Sequence, residues 1–157
     1  MKKVMTGVML AALTGFGAGR PEEAAQPISE NLKGRENIEW SIGYAYGVTD
    51  ETRHLPRVLL VGDSITAQNH RHVRTELAGK LNVSYWASSY CASTPRYLPL
   101  LEFYLNDAKY DVIHFNNGLH SLWTSDADWE RGFRAALELI RRKQPQAKVI
   151  WSALYGV

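Results

Sequence analysis

From Pro56 onward short apolar runs alternate with stretches of helical periodicity, and this alternation constrains the fold more than any other feature of the sequence. Residues 57–62 form a branched, apolar run that is too short for a helix and is closed by Gly-Asp-Ser, which predicts a strand buried on both faces. Ala67, Val73, Leu77 and Leu81 then fall on one helical face. Residues 82–87 read as a second strand, Leu98, Leu101 and Leu105 mark a second helix, and 111–116 read as a third strand. Ser125, Asp126 and Asp128 open a third helix whose apolar face carries Trp129, Phe133, Leu137 and Ile140. Pro145 ends it, and 147–154 form a fourth strand. Strands that alternate with helices in this way predict a parallel sheet with right-handed crossovers and helices on both faces, a three-layer α/β fold. In such sheets ligands bind outside the carboxyl ends of the strands. The informative loops are therefore 62–66, 88–95, 118–123 and 155–157.

The chain has 157 residues, 45% of them apolar, enough for one sizeable core. Eighteen Lys and Arg against sixteen Asp and Glu leave a net charge of +2, dispersed along the chain, with no electrostatic case for nucleic acid or an anionic membrane. A single cysteine, Cys91, excludes an internal disulfide framework and a Cys-rich zinc site. Lys2 and Lys3 precede an uncharged apolar or small run over 4–18, which Arg20, Pro21, Glu22 and Glu23 break. That layout predicts a secretory signal peptide over 1–19 and a secreted or periplasmic protein with no stable membrane insertion after cleavage. Residues 20–36 read as a linker and 37–157 as the domain. Within the domain, Ile38, Trp40, Ile42, Tyr44 and Tyr46 recur at period two. They predict an extended segment laying aromatic side chains on the body, with a sugar-stacking surface as the rival reading.

The loop Val61-Gly62-Asp63-Ser64-Ile65-Thr66 lies between the first buried strand and a helix. Gly62 permits a tight turn, and the helix start offers unpaired N–H groups and the positive end of a dipole. An oxyanion formed by attack of Ser64 would be favoured there, although a serine or aspartate in this place also caps helices routinely.

Gly62-Asp63-Ser64 after a first apolar strand resembles the opening motif of the SGNH, or GDSL, hydrolases, a flavodoxin-like group of esterases and acyl hydrolases. The resemblance implies that Ser64 is the nucleophile, that its backbone N–H contributes to the oxyanion hole, and that Asp63 shapes the turn. Residues 111–121 align with the family's third block: Gly118 matches its glycine, His120 stands at its oxyanion-hole asparagine and Ser121 at its aspartate. A neutral histidine donates one N–H, so His120 is expected to serve as an oxyanion donor, with a structural tie or a general-base role as alternatives. Asn116 and Asn117 are further candidates to reach the substrate.

Two blocks depart from the family pattern. The second block's glycine is absent from 86–95, which leaves Ser89, Cys91 or Ser93 to provide a backbone donor. Cys91 itself reads as a small packing residue. No Asp-x-x-His follows a fifth strand, and Asp111-Val-Ile-His114 matches those letters by chance inside the third strand, where His114 is expected to be buried. His70 and His72 are expected to be solvated and to hold no metal. The resemblance thus predicts a secreted esterase of small-molecule or carbohydrate esters, cofactor-free, with a sheet incomplete at its C-terminus and a general base beyond residue 157. On that reading the chain alone hydrolyses activated esters weakly or not at all, and an uncovered face at Val149, Ile150 and Trp151 favours self-association. The competing class is a non-catalytic ligand- or carbohydrate-binding protein derived from the same fold.

Overall fold

The computed structural model describes residues 36–45 and 48–153; the expected signal peptide, residues 20–35 of the linker, Tyr46 and the 155–157 loop lie outside the described residues. The elements in chain order are β1 (Ser41–Tyr44), β2 (Arg57–Gly62), α1 (Ser64–Glu76), β3 (Asn82–Ser88), α2 (Tyr97–Asp107), β4 (Val112–Phe115), a single 3-10 turn (Leu119–Ser121), α3 (Asp126–Lys143) and β5 (Lys148–Trp151). They build an α/β unit around one five-stranded sheet in the order β1-β3-β2-β4-β5. β2 pairs in parallel with both β3 and β4, and β4 in parallel with β5.

The sheet is mixed rather than wholly parallel, because β1 joins the outer edge of β3 antiparallel, with Ser41 opposite Ser88 and Tyr44 opposite Tyr85. The aromatic alternation over 38–46 foretold an extended segment but not this pairing. Trp40 packs against the α1-side core and Tyr44 leans on Tyr85 at 5.6 Å, whereas Ile38, Ile42 and Tyr44 stay largely exposed at the sheet edge.

The central strand explains why the sheet needs cover on both sides. Leu59 and Val61 enter one core with Trp86, Ile113 and Phe115, roofed by Leu101 and Leu105 of α2 and Phe133, Ala136 and Ile140 of α3. Val58 and Leu60 enter a second core with Val83, Tyr85 and Ala87, roofed by Ala67, Val73 and Leu77 of α1 and by Leu81. Alternate residues of one strand thus serve opposite layers, as the pleat requires. Ser125 caps α3 by accepting from Asp128 N–H at 3.2 Å, and acidic residues in the first turn and basic ones in the last complement the helix dipole.

Two expectations are corrected. His70 is buried, not solvated: its ring stacks on Tyr85 at 3.7 Å and its Nδ1 bonds the Ala67 carbonyl oxygen at 2.8 Å, so it packs as an aromatic in the α1-side core. His114 is only half-buried on β4, where its Nε2 lies 2.7 Å from Ser152 Oγ. Asp111 instead accepts from Arg57 N–H at 2.8 Å, so the Asp-x-x-His letters form no couple. At the sheet's outer edge β5 leaves Ile150 and Trp151 about half exposed while Val149 packs inward. Among the described residues no cluster of three or more His, Cys, Asp or Glu is placed to hold a metal, and no helix is long and apolar enough to cross a membrane.

Candidate active site at the carboxyl ends of the strands

β2 ends in Gly62, and the turn into α1 is built around the lack of a side chain there. A β-carbon on Gly62 would overlap the buried Thr66 side chain, so the turn closes only with glycine. Asp63 is the N-cap of α1: its Oδ1 accepts from Ile65 N–H at 2.9 Å and its carbonyl from Ala67 N–H at 2.9 Å. Because Asp63 takes the capping role, Ser64 does not. Ser64 is the first residue of α1, half-buried, and its hydroxyl has no hydrogen-bond partner among the described residues. Its backbone N–H belongs to the first helical turn, whose donors have no intrahelical acceptor.

The two asparagines after β4 have different surroundings. Asn117 is fully engaged: Oδ1 accepts from Ala92 N–H at 3.0 Å and Trp129 Nε1–H at 3.3 Å, and Nδ2 donates to the Tyr90 carbonyl at 3.1 Å. It staples the β3–α2 loop to α3. Asn116 is buried beside Gly62, its backbone N–H bonds Val61 O at 2.9 Å, and its Oδ1 has no partner. Asp63 Oδ2 and the Tyr97 hydroxyl are likewise buried without a hydrogen-bond partner, the latter near Asn117 and Asp63 but short of bonding geometry. Burial pushes the Tyr97 phenol up, which keeps it a neutral donor. Orphaned polar atoms therefore gather around the Gly62–Ser64 turn, whereas most buried polar groups in folded proteins are satisfied.

The loop after β3 narrows the choice of backbone donor. Ser89 N–H donates to Trp40 O at 3.0 Å, Tyr90 N–H points at Ser88 Oγ at 3.4 Å, and Ala92 N–H is held by Asn117. Ser93 N–H is covered by α3, where a β-carbon on Gly132 would come within 2.6 Å of that nitrogen. Over 89–93 this leaves Cys91 N–H as a donor without a hydrogen-bond partner among the described residues and not packed under α3. The Cys91 thiol is buried and receives a hydrogen bond from Ser93 Oγ at 3.2 Å.

His120 sits in the 3-10 turn after Gly118, whose carbonyl accepts from both Ser121 N–H, at 3.1 Å, and Ser121 Oγ, at 2.6 Å. Its ring meets the edge of Trp40 at 6.2 Å and 86°, its Nδ1 lies 2.6 Å from Glu36 Oε1, and its Nε2 is buried with no partner. Trp40 and Glu36 precede β1, beyond β3, whereas His120 follows β4. The contacts of His120 with Trp40 and Glu36 therefore link the end of β4 to the start of β1 across β2 and β3, three strand spacings or about 14 Å, and Ser64 follows the β2 end that lies between them. By sequence alone Glu36 is the last residue of the 20–36 linker. Eighty-four positions separate it from His120, and nothing local in the sequence marks the pair.

No protein-family model matches the chain, and a search of curated proteins finds no significant match.

Proposed function

We propose that this protein is an exported serine hydrolase of SGNH type that cleaves esters of small molecules or carbohydrates, with Ser64 as its nucleophile. The observation that carries the reading is the Ser64 hydroxyl at the start of α1, without a partner among the described residues and freed by Asp63 acting as the cap. The order of the parallel strands, β3-β2-β4-β5, supports a flavodoxin-like arrangement, in which ligands sit where the strand order reverses, here between β2 and β4. Export rests on the Lys2, Lys3 and apolar 4–18 pattern.

In the reaction, Ser64 Oγ bonds to the acyl carbon while its proton passes to a base. Negative charge moves onto the carbonyl oxygen, where the N–H groups of Ser64 and Cys91 and the α1 dipole favour it. The ester C–O bond then breaks, and the alcohol departs with the proton returned by the base. Water repeats the sequence on the acyl-serine and releases the acid. Asn116 and Gly118 line the substrate side of the same loop, while Asn117 holds that loop in position.

The test is hydrolysis of p-nitrophenyl acetate by the purified chain, together with labelling by a fluorophosphonate probe mapped by mass spectrometry. The expected result is a single adduct on Ser64, and weak turnover that falls about 10³-fold or more in Ser64→Ala. Binding of acylated sugars that survives Ser64→Ala, with no turnover by the native chain, would instead assign the fold to a binding protein.

A further inference from the structure

We infer that His120 and Glu36 form the general-base couple for Ser64, with His120 Nε2 receiving the serine proton and Glu36 acting as its positioning residue. The inference rests on the hydrolase reading above and supplies from within the chain the base that the family pattern expects beyond residue 157.

An ionised carboxylate only accepts hydrogen bonds. Glu36 Oε1, 2.6 Å from His120 Nδ1, therefore holds the neutral ring in the tautomer with the proton on Nδ1. Nε2 is then a bare lone pair. In that state it cannot donate to an oxyanion, which removes the basis for reading neutral His120 as an oxyanion donor. It can accept a proton, and in this structure it is buried with no hydrogen-bond partner.

The orientation is held from two sides. Trp40 packs edge-on against the ring, and Trp40 is itself fixed by a backbone N–H bond to Ser89 Oγ at 2.9 Å and by its carbonyl accepting from Ser89 N–H at 3.0 Å. The His120 and Glu36 side chains are 16% and 27% exposed, low enough for the pair to resist screening by solvent. A carboxylate on Nδ1, an Nε2 without a partner and a serine hydroxyl without a partner among the described residues, all at the same end of the sheet, are the components of a nucleophile, base and orienting acid. As Ser64 Oγ bonds to the acyl carbon, its proton moves to Nε2, and Glu36 stabilises the imidazolium through Nδ1–H. The same proton then passes from Nε2 to the departing alkoxide, restoring the neutral ring.

The experiment uses the full chain, p-nitrophenyl acetate and the fluorophosphonate probe. His120→Asn keeps an N–H donor but cannot accept a proton, so it separates the base from an oxyanion donor. The expected result is a drop of about 10²- to 10⁴-fold in both kcat and the labelling rate at Ser64. Imidazole added to His120→Gly should restore part of the rate, which also shows that the site has folded. Glu36→Gln, which can place an N–H against Nδ1 and favour the other tautomer, should lower kcat by as much as about 10⁴-fold with KM unchanged. If the native chain labels at Ser64 and His120→Asn labels equally fast, the couple falls and the hydrolase reading stands. A folded His120→Gly that imidazole does not rescue, or a Glu36→Gln that changes only KM, overturns the couple as well. If the native chain neither labels at Ser64 nor turns over, the hydrolase reading falls and the couple with it.

Discussion

His114 Nε2 lies 2.7 Å from Ser152 Oγ, so β4 and the residue after β5 share a side-chain bond beside the backbone bond from Ser152 N–H to Phe115 O. The half-buried imidazole is held below its ordinary value of 6.5 because burial disfavours its charged form. A histidine so depressed binds fewer protons folded than unfolded, so stability falls as the pH drops below the unfolded value and levels off below the folded one. Above about pH 6.5 both states are neutral and the group contributes nothing. The unfolding midpoint of the native chain should therefore fall more between about pH 7.5 and 5 than that of His114→Gln, which keeps a partner for Ser152. Equal losses in a thermal melt series would show that His114 does not report the fold's acid sensitivity.

Gly62 and Thr66 should behave as a coupled pair. Gly62→Ala drives a methyl into the Thr66 side chain and should cost about 1–3 kcal/mol. Thr66→Ala vacates that space, so the double variant should be more stable than the sum of the single effects implies. Urea unfolding of the four proteins in the cycle measures this, and simple additivity would mean that the turn yields elsewhere.

Asn116 and Asn117 are adjacent in sequence and should diverge on substitution. Asn117→Ala strips partners from Ala92 N–H, Trp129 Nε1–H and the Tyr90 carbonyl, at about 1–3 kcal/mol for each group left buried and unsatisfied. Asn116→Ala removes an oxygen that bonds nothing, so the fold should tolerate it while turnover declines. Denaturant midpoints and kcat/KM, measured on the same preparations, separate the two. A stability loss at position 116 as large as that at 117 would assign both asparagines to the scaffold.

The features legible in the sequence are those governed by local physics. The apolar run of β2, the Ser125 cap of α3 and the helical faces of α1 and α2 each depend on residues within a few positions of one another, and periodicity or capping chemistry reports them directly. His70 is not legible as a core residue, because a histidine among polar helix residues resembles a solvated one and the Tyr85 ring that stacks on it comes from a different strand. The antiparallel docking of β1 escaped because edge pairing leaves no mark on the strand that adds itself. The candidate site divides in the same way. Gly62, Asp63 and Ser64 form a contiguous motif, whereas the choice among Ser89, Cys91 and Ser93 depends on which N–H groups Trp40, Asn117 and α3 occupy. Glu36 depends on a loop crossing two strands.

β1 carries four residues on the outer edge of the sheet, pairs with a single neighbour and leaves much of its surface exposed. Short, singly paired elements open on their own at free energies well below that of global unfolding. The strand's opening would carry away Trp40 and Glu36, the two groups that orient His120, while β2 to β5 and their helices kept their cores. The arrangement around His120 therefore has a lifetime of its own, set by the fraying of one edge strand. Amide exchange over residues 41–44 is the clock by which it would be read.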